Sequence, residues 1–305
     1  MKTPLTRRLV ATVAFAALVL SSCGNATPIA SANDAFVVNG VSYSLDDFET
    51  LLADLVENQQ LEISANGKPS KDDANSVMRT LIRYEAYKQY LTEYGLEEDP
   101  ADRSAIEEQA AADEQFSALP EYLKELLINL SVAQVTIAKF EAHSSATLKK
   151  LYNESPASTG VMCLSHILLE TEDQANAVLK ELANGADFAE VAKKKSIEPG
   201  ANETGGALAN DNEPCTDITF FQQQFDSDFM VGAVAAKAGV PTGPVKTQFG
   251  FHIILNRPYD DIKSSLEKVA ATKPSTTNIA GFMAASDISV NSVYGAWNGA
   301  MATLQ

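Results

Sequence analysis

The sequence predicts an α+β chain, with a mostly helical module ahead of a domain built on a small antiparallel sheet. Up to about residue 157, apolar residues recur mainly at helical spacing. After "SPASTG" the pattern becomes strand, two helices, a glycine-containing loop, helix and two strands. That order favours segregated helices on an antiparallel sheet over a doubly wound parallel one. At 305 residues, 45% hydrophobic and 21% charged, the chain can bury two modest cores, and its composition excludes wholesale disorder.

Residues 1–22 predict a signal peptide. Lys2, Arg7 and Arg8 precede the apolar run "LVATVAFAALVL", which is too short to span a bilayer as a stable helix. It ends in "LSSC", which resembles a bacterial lipobox and implies acylation of Cys23. The alternative is an ordinary secreted protein with a stray cysteine. The expected location is outside the cytoplasm, lipid-anchored to the bacterial cell membrane. Residues 23–34, small and polar, predict a tether.

The formal net charge is −17, and three of the 23 Lys and Arg lie in the leader, opposite 40 Asp and Glu. Such a chain repels nucleic acid and anionic headgroups, so membrane attachment falls to the lipid. Uncharged, apolar or basic polypeptides are the expected partners. With Cys23 acylated, Cys163 and Cys215 remain, either as a disulfide or as two buried thiols.

The elements follow in order. "AFVVNGVSYS" alternates about Asn39-Gly40 and predicts a strand or hairpin. Ser44 caps a helix with Phe48, Leu51, Leu52 and Leu55 on one face. A second helix closes at Gly95, an acidic one follows near 100–117, and Pro120 opens a long helix fading before Pro156. Val161 to Leu169 predicts a strand, and Thr171 with Gln174 a capping box for the next helix. Asp187 caps a short helix, and "FFQQQFDSDFMVGAVAAKAG" predicts another. "GPVKT" is an expected edge strand and "FGFHIILNR" a final one. A charged helix, a "TKPSTT" break and the strand-like "SDISVNSVYGAW" complete the chain.

Two of the three histidines, His166 and His252, stand in greasy strand-like runs. Histidines so placed are commonly satisfied core residues. Here they sit among "SHIL", "GADFAEVA", "S-x-E-P-G", "GG-x-L", "PVKT" and "FGFHII", which in this order resemble a parvulin-type peptidyl-prolyl cis/trans isomerase over 158–258. The lipobox, the helical amino-terminal part and the trailing "VNSVYGAW" resemble the exported PrsA/SurA-like foldases. That resemblance implies that 35–157 and 259–305 pack as one chaperone module, with "FVVNGVSYS" and "DISVNSVYG" in a shared sheet.

By this resemblance His166, Glu198, Thr247 and His252 form the catalytic set, with Glu198 where relatives carry Cys or Asp. Leu208, Phe225 and Phe229 would hold the proline ring, the phenylalanines at i and i+4 of one helix, and Phe249 would roof the site. Isomerisation needs no metal and no cofactor. The clients would be unfolded or nascent exported polypeptides containing X-Pro bonds. Without the resemblance, the phenylalanines read as helix core, Glu198 as a solvated carboxylate, and His143 as surface on the long helix. The family's "GGDLG" is "GGALAN" here, so a holdase with a degenerate site is the rival reading, and a solute-binding lipoprotein a distant third. The acidic "ETEDQ" loop disfavours phospho-Ser/Thr-Pro recognition. Cys163, an odd number of residues from His166, would face away from the site. Bridged to Cys215, it would pin the loop from behind the sheet.

Overall fold

The computed structural model describes residues 30–64, 67–208 and 213–305, so the expected signal peptide and Cys23 lie outside the described residues. Among the described residues no helix is long and apolar enough to cross a membrane.

The chain opens with the hairpin of β1 (Asp34–Val38) and β2 (Val41–Ser44). Asn39 and Gly40 take φ of 47° and 83°, the left-handed pair that a two-residue hairpin turn requires. The Ser44 side chain accepts the Asp47 N–H and starts α1 (Leu45–Glu57). Ser70 does the same for α2 (Lys71–Glu93) by accepting from Asp73. Then follow α3 (Pro100–Ala111), the single turn α4 (Glu114–Ser117), α5 (Glu121–Ala138) and α6 (Ser145–Glu154).

The single long helix expected after Pro120 is thus two. Ser144 caps α6 by accepting the Thr147 N–H, and a cap demands extended backbone where the helix would have continued. His143 lies in that break, half-buried rather than on a helix surface, with its ring 4.9 Å from Tyr94.

A 3-10 turn over Pro156–Thr159 leads into β3 (Val161–Met162) and β4 (Leu164–Leu169). The predicted strand is interrupted at Cys163, because β3 leaves the main sheet to pair with β5 (Thr216–Asp217). Cys163 is bonded to Cys215. Between them run α7 (Glu172–Ala183), with its reciprocal Thr171–Gln174 cap, α8 (Phe188–Lys195) and the short α9 (Ala201–Thr204). The next helix is also divided, into α10 (Ile218–Gln224) and α11 (Ser227–Ala235), because Asp226 turns extended and caps α11. β6 (Thr242–Thr247) and β7 (Gly250–Asn256) complete an antiparallel sheet in the order β4-β7-β6.

The expected "TKPSTT" break is only one residue wide. α12 (Tyr259–Thr272) gives way at Lys273 to α13 (Pro274–Ala285), since proline fits a first helical turn without losing a bond. β8 (Ile288–Val290) then pairs antiparallel with β1, Phe36 opposite Val290 and Val38 opposite Ile288. A last small hairpin joins β9 (Trp297–Asn298) and β10 (Thr303–Leu304).

The α+β class is observed, and the core divides accordingly. Phe36, Phe48, Met78 and Ile82 pack with Ile288, Val290 and Tyr294 from the far end of the chain. Met162, Leu164, Phe221, Phe229 and Ile254 pack under the sheet. Cys163 and Cys215 belong to another cluster with Leu148, Tyr152, Ile262 and Leu266. Where α13 crosses the 3-10 turn there is no room for side chains. A Cβ on Gly281 would lie 2.3 Å from the Ser158 carbonyl oxygen, and one on Gly160 would lie 1.7 Å from that of Thr277. Gly281→Ala should therefore destabilise the fold by roughly 2–3 kcal/mol through overpacking. A urea midpoint within error of the parent would contradict this packing.

Candidate active site

The sheet register sets the two histidines together. His166 lies opposite Ile254, and Leu168 opposite His252, so the imidazoles are diagonal neighbours on one face, within reach for ring side chains. Their Nδ1 atoms are 3.1 Å apart and their rings 5.4 Å, nearly parallel. They are 2% and 5% exposed. The Oγ1 of Thr247, on β6, lies 2.8 Å from His252 Nε2 and accepts the Phe249 N–H at 3.1 Å.

These contacts leave two proton arrangements, according to whether Thr247 donates to His252 Nε2 or accepts from it. If the Thr247 hydroxyl is to donate at all here, it donates to His252 Nε2. His252 then carries its proton on Nδ1 and donates to His166 Nδ1, which leaves His166 protonated on Nε2. That nitrogen is buried and has no hydrogen-bond partner among the described residues. It faces the Glu198 carboxylate at 3.9 Å, too far for a hydrogen bond but close enough to orient the dipole. Burial pushes both rings down to about 4, with each other's proximity adding to the effect at His166 and Asp226 opposing it at His252. Both are therefore neutral at pH 7, as the directional chain requires.

Phe229 lies edge-on to both imidazoles, 5.8 Å from His166 and 5.2 Å from His252, and is 1% exposed. Phe225 stacks on it at 4.8 Å, but not as two turns of one helix. Phe225 is the extended residue ending α10, and Phe229 lies in α11. The kink brings the rings together where a straight helix would set them one above the other. Leu208 packs half-buried on the same cluster, its N–H donating to Leu164 O. Phe249 stands apart: its ring is 66% exposed, and its tie to the site is the backbone N–H on Thr247. The structure thus brings together His166, His252, Thr247, Glu198, Leu208, Phe225 and Phe229.

Two residues that sequence reasoning passed over hold the site in shape. Ser196 Oγ accepts the N–H groups of both Leu168 and Glu198, tying the Glu198 loop to β4. Gly206, at φ 81°, lets the loop cross β4 so closely that a Cβ would lie 2.3 Å from His166 O, while its own carbonyl accepts the His166 N–H. Both stood in quoted motifs, "S-x-E-P-G" and "GG-x-L". The disulfide lies among Tyr152, Tyr259 and Ile262, a separate cluster from the one around Phe229.

Residues 166–257 match the PPIC-type PPIase domain of the rotamase family. The foldase protein PrsA of Clostridium botulinum strain Okra is 36% identical over 163 residues, 49% of this chain and 46% of that protein. PrsA of Clostridium kluyveri is 30% identical over 241 residues, 72% of this chain and 66% of that protein. The chain therefore spans about half the length of the first of these relatives. The crystal structure of PrsA from Bacillus subtilis aligns over 73% of this chain and 91% of that one, at 23% identity and TM-score 0.28. With so loose a superposition, the fold rests on the strand order and register described above.

The neutral pair makes stability pH-dependent. Unfolded imidazoles titrate near 6.5, so between pH 6.5 and about 4 the unfolded chain binds protons that the folded chain refuses. The stability is full above that window and should fall, as pH drops through it, by on the order of 3 kcal/mol for each ring. Urea midpoints at pH 7 and 4.5, for the parent and His252→Gln, should show a smaller loss in the variant. Equal losses would contradict the buried neutral pair.

Proposed function

We propose that this chain, a PrsA/SurA-like protein with a parvulin-type peptidyl-prolyl isomerase domain, is an exported foldase that turns X-Pro bonds in unfolded polypeptides and holds those polypeptides meanwhile. The observation that carries the reading is the buried chain Thr247–His252–His166 ending at Glu198, beside the stacked Phe225 and Phe229. It sets stacked apolar rings, which suit a proline ring, next to a run of hydrogen-bonded polar side chains.

The planar X-Pro amide resists rotation by about 18–20 kcal/mol because of resonance. Twisting moves negative charge off the carbonyl oxygen and returns the lone pair to nitrogen. Water stabilises the planar form by hydrogen-bonding that oxygen, so a dry aromatic slot favours the twisted form relative to solution. A carboxylate near the oxygen acts in the same sense, because it repels the charge that only the planar amide carries. Glu198, anchored through its N–H by Ser196, supplies that carboxylate. The histidine chain keeps an N–H aimed at it from below and keeps cationic charge out of the floor.

The helical module supplies the holding function. α1, α2 and α5 border an apolar groove of about 300 Å³ lined by leucines, among them Leu51, Leu55, Leu81, Leu123 and Leu126. The second reading, a holdase without catalysis, draws on the loss of the family's Asp in "GGALAN". The retained Gly206 and Leu208 contacts favour the catalytic one. Acylation at Cys23 would keep the chain on the outer side of the membrane.

The test is cis-to-trans isomerisation of a short, unphosphorylated X-Pro peptide. The parent should accelerate it, and Phe225→Ala and Glu198→Gln should each lower kcat/KM by roughly 10- to 100-fold, equivalent to about 1.4–2.7 kcal/mol of barrier. Phe225 is half-exposed, so its loss can be read without the core collapse expected of Phe229→Ala, which costs about 3–5 kcal/mol. No acceleration by the parent over a peptide panel would leave the holdase reading standing. Separately, Cys23→Ser should move the expressed chain from the membrane to the soluble fraction. Unchanged fractionation would refute the lipid anchor.

A further inference from the structure

A second cleft, of about 450 Å³, lies between the helical module and the isomerase domain. α2 contributes Arg79, Arg83 and Tyr87, α10 contributes Gln222 and Gln223, α13 contributes Met283, and the C-terminal hairpin contributes Trp297 and Met301. The charge pattern is the unusual feature. The chain carries 40 Asp and Glu against 23 Lys and Arg, yet no carboxylate lines this cleft. Along α2, every position three or four residues from Arg79 or Arg83 is free of Asp and Glu. The two arginines are instead four apart, a like-charge spacing that disfavours the helix. Neither forms an ion pair or a hydrogen bond among the described residues. By contrast, Arg103 on α3 meets Glu98, Glu107 and Glu125.

Other groups in the same walls are also left open. The Trp297 indole N–H is buried and has no acceptor among the described residues, although a buried indole N–H usually finds one. Gln222 spends its Nε2 on Ala300 O, which leaves its Oε1 as an acceptor beside the cationic pair. A small polyanion needs donors only. An extended peptide presents N–H and C=O groups alternately, and needs an acceptor as well. Met283 and Met301 line the same cleft and offer adaptable apolar surface for side chains of varied shape.

We infer that this cleft binds an extended polypeptide segment through an acidic side chain, whose carboxylate is held by Arg79 and Arg83, with an adjoining apolar side chain against Met283, Met301 and Trp297. Guanidinium forks match a carboxylate in two parallel hydrogen bonds. The cleft thus gives an otherwise acidic protein a hold on acidic clients, which its overall charge would repel. It rests on the foldase reading only in taking polypeptide as the ligand.

Trp297 is the only tryptophan of the chain, so its fluorescence reports on the cleft directly. The experiment titrates the intact chain with an end-blocked peptide holding one glutamate between leucines. The expected result is a saturable change in Trp297 emission, about tenfold weaker in apparent affinity for the glutamine counterpart and in the Arg79→Gln/Arg83→Gln chain. Equal affinity for the glutamate and glutamine peptides overturns the proposal, as does no saturable response. A glutamine peptide with a free carboxy terminus that binds as well as the glutamate peptide overturns the side-chain assignment. The peptide comparison uses the parent protein, so it stands even where the double variant folds poorly. Isomerisation of a neutral X-Pro peptide should be unchanged in the double variant. A parent that binds acidic peptide without accelerating isomerisation would remove the catalytic reading and leave this one.

Discussion

Two imidazoles share a water-poor space beneath the sheet face, and the arrangement of the isomerase domain follows from keeping both of them neutral. A charge there would be desolvated without a counter-charge in contact, since Glu198 approaches only to 3.9 Å. Neutral rings suit the hydrogen bonds that join Thr247 to His252 and His252 to His166. That chain needs β7 in the centre, β4 on one side and β6 on the other, in a register that sets Leu168 opposite His252 and Thr247 opposite Gly250. A slip of one residue would turn every one of these side chains to the other face. Phe229 then covers the pair edge-on, and Phe225 stacks on Phe229.

Much of this was legible because local signals and tertiary demands agree. Ser44 and Asp187 caps marked the starts of α1 and α8, and the Thr171–Gln174 box marked α7. The fold class followed from the change of period near residue 158. Two of the differences share a cause, helix breaks inside apolar runs. Asp226 and Ser144 each cap a new helix, but a periodic pattern running across a cap hides it. Pro274 is the opposite case: the sequence suggests a break there, yet the proline opens a helix. The kink at Phe225–Asp226 matters most, because the stacking of the two phenylalanines depends on it. The grouping of His166, Glu198, Thr247 and His252 came from the family resemblance. Spacing alone left the histidines as core residues, and the long-range pairing that unites them has no local signal.

The topology makes the isomerase domain an insertion. β1 and β8 are paired although about 250 residues of chain lie between them, and the core of the helical module draws on both ends. The module therefore cannot close until the inserted domain has been passed, and the return path runs through α12 and α13. α13 crosses the 3-10 turn at backbone contact, glycine against backbone on each side. Such a crossing has little freedom to slide, so the two units are joined by a packed seam. The C-terminal hairpin reinforces it, with Asn298 donating to Ser227 on α11 and Gln222 on α10 donating to Ala300.

That seam bears on how the proposed foldase would work. Uncatalysed X-Pro isomerisation takes tens to hundreds of seconds, far longer than a weak encounter with an unfolded chain lasts. A slot that grips little more than a proline ring cannot hold a client for long, because ordering a flexible segment offsets most of the contact energy. A second hold on the same client raises the effective concentration of its prolines at the slot, provided the two sites keep a fixed separation. The helical module offers the leucine groove and the arginine-lined cleft as such holds, and the cleft shares α10 with the isomerase domain. α10 ends at Phe225, which stacks on Phe229 at the proposed proline slot. One short helix thus borders both sites, and a client bound in the cleft would leave it beside the slot that turns its prolines.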